Sequence, residues 1–352
     1  MSDYGLIDRG LHRLVLGLPP VAEMFHDLDQ KQTASLRQDA TAGHHVFVSG
    51  LARAGTTALM RRIHASGAFR SLTYADMPFV LAPNVWSRLR GGRTRRIEAA
   101  ERAHGDGVIV DAESPESLDE VFWRIFDGPA YIAGDRLKVH APDAALCRRF
   151  ADYVAAILVS GLVSGAGQGR YLSKNNNNLL RLPALARTFP GATILVPFRA
   201  PLDHAASLRN QHLRFAARHG ADRFERDYMR WLVHHEFGSD HRPFDTHGRS
   251  DHAPDSLAYW LDQWVGVHEH LLATAPASAR FVCYEDLCAD PAVWAGLARA
   301  LDIAPQTEGS APFVPAPGRG DAAGVPPALL DRARALYDAL RERASLGLRS
   351  AA

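Results

Sequence analysis

Gly50-Leu-Ala-Arg-Ala-Gly-Thr-Thr57 follows directly on the apolar run His45-Val-Phe-Val-Ser49. A glycine-punctuated turn that leaves a strand and opens a helix points backbone N–H groups at an anion, most often a phosphate. The glycines have the spacing of a Walker A loop. Thr56, however, stands where the lysine belongs, and the cation has moved inside the loop, to Arg53. Without that lysine a nucleoside triphosphatase loses its main contact to the β- and γ-phosphates. The loop suits a nucleotide with a short 5′ anion, held by Arg53 and by the backbone of Ala54, Gly55, Thr56 and Thr57. A plain strand-to-helix turn would use the same glycines. A second anchor follows Thr193-Ile-Leu-Val-Pro-Phe198: Arg199 closes that run, Pro201 opens a helix, and Ser207 lies inside it. Helical side chains tilt toward the helix start, so the Ser207 hydroxyl can lean toward Arg199 and complete a phosphate clamp. Taken alone, Arg199 could equally pair with Asp203 and leave Ser207 an ordinary helix residue.

These loops need a frame. Short β-rich runs at 45–49, 71–74, 170–174, 193–198 and 280–284 alternate with helical patterns at 56–66, 117–126, 143–164, 179–189, 201–217, 257–274 and 291–301. A last helix runs from Pro326 or Pro327 to Arg343. The alternation predicts an α/β fold, P-loop-like and three-layered, with a central parallel sheet flanked by helices. Segments 83–107, 220–254 and 304–327 break the alternation and read as surface insertions that carry specificity or cover a site. The expected organisation is one domain with a core at about 44–303, an acceptor-side insertion at 220–254, and a C-terminal loop and helix over 304–352.

Bulk properties narrow the class. The 352 residues carry 40 Lys and Arg against 39 Asp and Glu, a net charge of +1, so nothing global favours nucleic acid or an anionic membrane. Cys147, Cys283 and Cys288 form no CxxC pair and fit a reducing compartment. No HExxH or paired Cys/His spacing organises the 17 histidines, which read as locally bonded rather than metal-binding. The N-terminal apolar run is broken by Pro19-Pro20, unlike a signal peptide, and Tyr153 to Gly169 is too short and too rich in serine and glycine to span a bilayer. The expectation is a cytoplasmic protein with no transmembrane segment.

Together the two anchors resemble those of the PAPS-dependent sulfotransferases, where PAPS is 3′-phosphoadenosine-5′-phosphosulfate. The nearest branch includes tyrosylprotein and heparan-sulfate enzymes and many bacterial relatives. Arg53-Ala-Gly-Thr-Thr57 looks like that family's 5′-phosphosulfate loop. Phe198-Arg-Ala-Pro-Leu-Asp-His-Ala-Ala-Ser207 looks like its 3′-phosphate motif. Tyr171-Leu-Ser-Lys174 is similar to its lysine-bearing strand end, and Val282-Cys-Tyr-Glu-Asp-Leu287 with Asp290-Pro291 matches its late strand-to-helix signature. That signature places Tyr284 with the nucleotide, and Arg319, between Gly318 and Gly320, is similar to the family's late basic loop. Two positions depart from the pattern. Ala58 replaces the tryptophan of the cytosolic branch, and Asn175-Asn-Asn-Asn178 replaces a threonine and proline. Those amides could bond a ligand; most read as caps of the next helix.

The resemblance implies in-line transfer of a sulfuryl group from PAPS to a hydroxyl or amine, without a metal, on a small-molecule or glycan acceptor. Arg53, the loop amides and Lys174 would stabilise the moving charge. Three residues compete as general base. Asp76 lies where the branch carries a glutamate, His104 sits in a glycine-flanked loop, and Glu113 precedes Ser114-Pro115. Asp76 could also be a turn aspartate bonding its own backbone. A P-loop nucleotide or small-molecule kinase and a non-catalytic nucleotide-binding protein are the alternatives.

Overall fold

The computed structural model describes residues 5–91, 100–101, 109–110, 117–164, 169–219, 223–305, 312–315, 318 and 321–349. Four strands, β1 (Val46–Val48), β2 (Leu172–Lys174), β3 (Thr193–Phe198) and β4 (Ala279–Cys283), pair in the order β2-β1-β3-β4, every pair parallel. Register aligns Val48 with Lys174 on one side and Leu195 on the other. Val46, Val48, Leu172, Leu195 and Val282 pack one face against Leu59, Met60 and Ile63 of helix Thr56–His64 and Trp294 of helix Pro291–Ala300. Phe47, Ile194, Val196, Phe198 and Phe281 pack the other face against Phe122, Phe150, Leu261 and Leu340, from four further helices. Parallel strands buried on both faces read as continuous apolar runs, as these do. The result is an α/β fold with a central parallel sheet flanked by helices.

The structure departs from expectation at two places. The run 71–74 is not a strand: one residue, Arg70, bridges to Tyr171, and the chain then turns as a 3₁₀ helix over Tyr74–Asp76. Thr73 and Asp76 close a capping box there, and that reciprocal bonding overrides the β propensity of the run. Segment 220–254 holds helix Arg223–Trp231 and the turn Gly238–Asp240. Pro19-Pro20, where the apolar run breaks after helix Leu6–Val15, also opens helix Pro19–Thr33, since missing N–H groups cost nothing in a first turn. Among the described residues no helix is long and apolar enough to cross a membrane.

All four strands run the same way, so the loops after β1, β2, β3 and β4 emerge along one edge. In open parallel sheets ligands sit outside that carboxyl edge.

Candidate functional site

The loop after β1 is shaped by its glycines. A Cβ on Gly50 would come within 2.8 Å of the Pro197 carbonyl oxygen of β3, so only glycine lets the chain pass. Arg53 and Gly55 adopt φ of 69° and 89°, the left-handed region. Helix Thr56–His64 starts at Gly55 with no side chain capping it, which leaves its first N–H groups for an anion. Tyr284, directly after β4, lies against this turn: a Cβ on Gly55 would meet its ring at 2.3 Å. The Tyr284 hydroxyl donates to the Val314 carbonyl over 3.2 Å, holding 312–315 beside the loop.

Three contacts stitch this loop to the one after β3. Arg199 Nη1 donates to the Arg53 carbonyl at 3.0 Å, and Arg53 Nε donates to Ser207 Oγ at 3.4 Å. His204 Nε2 donates to the Ala52 carbonyl at 2.8 Å, its tautomer fixed because Trp264 Nε1 donates to Nδ1 at 3.2 Å. Burial, aided by the Arg199 charge, holds His204 well below the usual histidine range, so it stays neutral. Glu285 accepts from the Ala200 amide at 3.0 Å and lies 3.9 Å from Arg199 Nε. Arg199 Nε and Ser49 Oγ are buried without a hydrogen-bond partner, two polar atoms suited to a ligand at the ends of β3 and β1. Gly318 packs against Asp203, in the first helical turn after Arg199.

Lys174 ends β2, buried beside Val48. Its neighbours turn to the opposite face, as strand alternation requires. Ser173 Oγ donates to Asp119 at 2.5 Å, and Asn175 Nδ2 donates to Asp119 at 3.2 Å and Glu120 at 2.7 Å. Burial raises Asp119 to about 6, although Ser173 and Tyr171 bond its ionised form. Glu120 is fully buried and pairs with Arg181 Nη1 at 2.7 Å. Burial pushes Glu120 up, yet the Arg181 charge prevails and holds it below the ordinary carboxylate range. Of the asparagine run only Asn175 caps, accepting from the Asn177 amide. Asn176 reaches Glu236 at 3.0 Å, Asn177 reaches the Val233 carbonyl at 3.2 Å, and Asn178 accepts from Arg181.

The structure thus brings together Arg53, Ala54, Gly55, Thr56, Arg199, Ser207 and Tyr284; Thr57 lies in the first turn of the same helix. Asp76, the first candidate base, is tied up by its own neighbours. Arg70 Nη2 donates to both its oxygens at 2.9 Å, and the Thr73 amide donates to Oδ2 at 2.8 Å. His104, Glu113 and Arg319 lie outside the described residues. Sequence reasoning missed His204, Trp264, Asp119 and Glu236, whose contacts join segments far apart in the chain, and His234, whose ring lies 3.7 Å from Glu236 two positions on. Glu285 stood inside a recognised signature but was given no task.

A model described as the sulfotransferase family matches residues 45–242, more than half of the chain. No curated protein matches it. Among solved structures, the sulfotransferase STF1 of Mycobacterium tuberculosis aligns at 18% identity over 99% of this chain and 85% of that one, with a TM-score of 0.48. The sulfotransferase STF9 of Mycobacterium avium aligns at 15% identity over 90% of this chain and 80% of that one, with a TM-score of 0.47. The sulfotransferase domain from the curacin biosynthetic pathway aligns at 16% identity over 80% and 81%, with a TM-score of 0.34.

Proposed function

The chain belongs to the sulfotransferase family, and from that premise we propose that it moves a sulfuryl group from PAPS to a hydroxyl or amine acceptor by in-line displacement. The observation that carries this reading is the stitching of the loop after β1 to Arg199 and Ser207. A nucleotide with anions at both its 5′ and 3′ positions needs both sites at a fixed separation, and Arg199 on the Arg53 carbonyl with Arg53 on Ser207 ties the two loops together. Arg53, Ala54, Gly55, Thr56 and Thr57 hold the 5′-phosphosulfate. Arg199 and Ser207 hold the 3′-phosphate, with Arg319 over the nucleotide and Tyr284 bracing the turn. Lys174, a point charge on a flexible stem, follows the sulfuryl group as charge moves to the leaving oxygen. The acceptor is a small molecule or a glycan.

Calorimetry with 3′,5′-adenosine bisphosphate tests the reading. Losing a charged hydrogen bond to phosphate costs about 1.5–3 kcal/mol, so Arg199→Ala should weaken binding by about one to two decades. Adenosine 5′-phosphosulfate, which lacks the 3′-phosphate, should bind the wild type more weakly than PAPS does. Unchanged affinity in the variant, or equal binding of the two donors, removes the 3′-phosphate clamp.

A further inference from the structure

Segment 220–254 carries no motif readable in sequence, yet its middle is fastened to the strand end that bears Lys174. Just past helix Arg223–Trp231, Val233 adopts φ of 57°, a conformation that β-branched residues avoid and that concentrates at working sites. Asn177 Nδ2 donates to its carbonyl at 3.2 Å. Next come His234 and Glu236. Glu236 Oε1 accepts from Asn176 Nδ2 at 3.0 Å, and His234 Nδ1 lies 3.7 Å from Glu236 Oε2. Residues 60 positions apart thereby meet two residues beyond Lys174. Asn176 is 6% exposed, and its Oδ1 is buried with no hydrogen-bond partner. A neighbouring hydroxyl of the acceptor, beside the one that reacts, would give that oxygen the donor it lacks.

The loop is braced for precise work. Asp240 pairs with Arg226 and its carbonyl meets His235 Nδ1 at 3.0 Å; the Gly238 amide donates to His212 Nδ1 at 3.2 Å; His241 Nε2 meets the Tyr259 hydroxyl at 2.7 Å. Burial pushes Glu236 up, but His234 and Asn176 outweigh it and hold the carboxyl at about 2. Glu236 is therefore a standing carboxylate: it can orient an imidazole and stabilise the imidazolium, but it is too weak a base to take a proton itself. Asp76, with both oxygens committed to Arg70 and Thr73, is poorly placed for that task.

We propose that His234 accepts the proton of the hydroxyl group being sulfated, with Glu236 and Asn176 as positioning residues. This rests on the sulfuryl-transfer reading above. The bond from acceptor oxygen to sulfur forms as the bond from sulfur to the 5′-phosphate oxygen breaks. The electron pair of the broken bond leaves with adenosine bisphosphate, and the acceptor's proton passes to the imidazole and then to solvent.

The test compares wild type with His234→Gln, Glu236→Gln and Asp76→Asn. Each is measured for affinity to 3′,5′-adenosine bisphosphate and for turnover of labelled PAPS with phenol, with 4-nitrophenol and with water alone. His234→Gln should bind the bisphosphate within about twofold of wild type. It should sulfate phenol about two to four decades more slowly, the usual contribution of a positioned base. Glu236→Gln should show a smaller loss in the same direction. Both should spare 4-nitrophenol, which is already substantially ionised at neutral pH and has less need of a base. Asp76→Asn should lower thermal stability more than turnover. Should His234→Gln fail to fold, Glu236→Gln decides, because only a role in proton transfer makes its loss larger for phenol than for 4-nitrophenol. Retained phenol turnover, or equal losses with both phenols, overturns the assignment. So does a wild type that binds the bisphosphate and transfers to none of the three acceptors. A wild type that does not bind the bisphosphate removes the donor reading, and this assignment with it.

Discussion

The loop after β1 and the loop after helix Arg223–Trp231 flank the same sheet edge, and they are held with a different balance of contacts. The first is fixed through its main chain: Arg199 and His204 grip the carbonyls of Arg53 and Ala52, while the Arg53 side chain reaches Ser207. The second adds side-chain pairs, Asn176 to Glu236 and His241 to Tyr259, to its main-chain contacts at Val233 and Gly238, above a platform built on the buried pair of Arg181 and Glu120. A site for a fixed anion can rely on backbone shape. A site that handles a proton needs ionisable groups, and their charge states then become part of its stability.

The largest test of that contrast is Arg181→Met. It strands the fully buried Glu120 carboxylate, and breaking one side of a buried pair costs about 3–5 kcal/mol. Arg53→Met, at a partly exposed position, should leave stability nearly unchanged and weaken bisphosphate binding instead. Denaturant melts of the two variants read the difference. If Arg53→Met unfolds the chain and Arg181→Met does not, the two regions have been assigned the wrong supports.

An effect of similar size should come from acid. Burial, with Arg242 beside His235 and His212 beside His241, pulls both histidines down to about 4 from an ordinary 6.5. Depressed histidines bind protons more tightly in the unfolded chain. Their contribution is therefore complete above about 6.5 and is lost as pH falls toward 4. Each is worth roughly 2–3 kcal/mol over that window if the whole shift is realised. Thermal melts between these limits should show the loss. Sulfuryl transfer should fail at higher pH than bisphosphate binding does, because His235 and His241 brace the loop proposed to handle the acceptor's proton. Both activities falling together would erase the distinction.

The same contrast explains what could be read from the chain. The loop 50–57 and the run 198–207 were legible because each motif is contiguous: glycines where φ is positive or a carbonyl presses close, cations at set offsets. Strand 193–198 was legible because both its faces are apolar, and 170–174 because Tyr171 and Leu172 lead into the strand end at Lys174. Asn176 and Glu236 were not, since nothing local marks a bond across 60 positions. The run 71–74 misled because the capping box of Thr73 and Asp76 outweighs its β-forming residues. His204 looked like one more helix residue; only the fold reveals that Ala52 and Trp264 lie at either end of its ring.

The smallest expected effect probes how the donor loop divides its work. Ser207 Oγ is 3.4 Å from Arg53 Nε, a long hydrogen bond at a half-buried position, so Ser207→Ala should cost only about 0.5–1 kcal/mol, or roughly two- to fivefold in bisphosphate affinity. Two routes could carry that loss. If the hydroxyl meets the 3′-phosphate, binding of adenosine 5′-phosphosulfate should be untouched, because that ligand has no phosphate there. If the hydroxyl acts by holding the Arg53 guanidinium, both ligands should weaken alike, and Arg53→Met should abolish any further effect of Ser207→Ala. Arg199→Ala separates the routes from the other side, being additive with Ser207→Ala when they hold different groups and less than additive when they share the 3′-phosphate. Additivity would move Ser207 from the 3′ end of the nucleotide to the loop that holds its 5′ end, and the clamp after β3 would rest on Arg199.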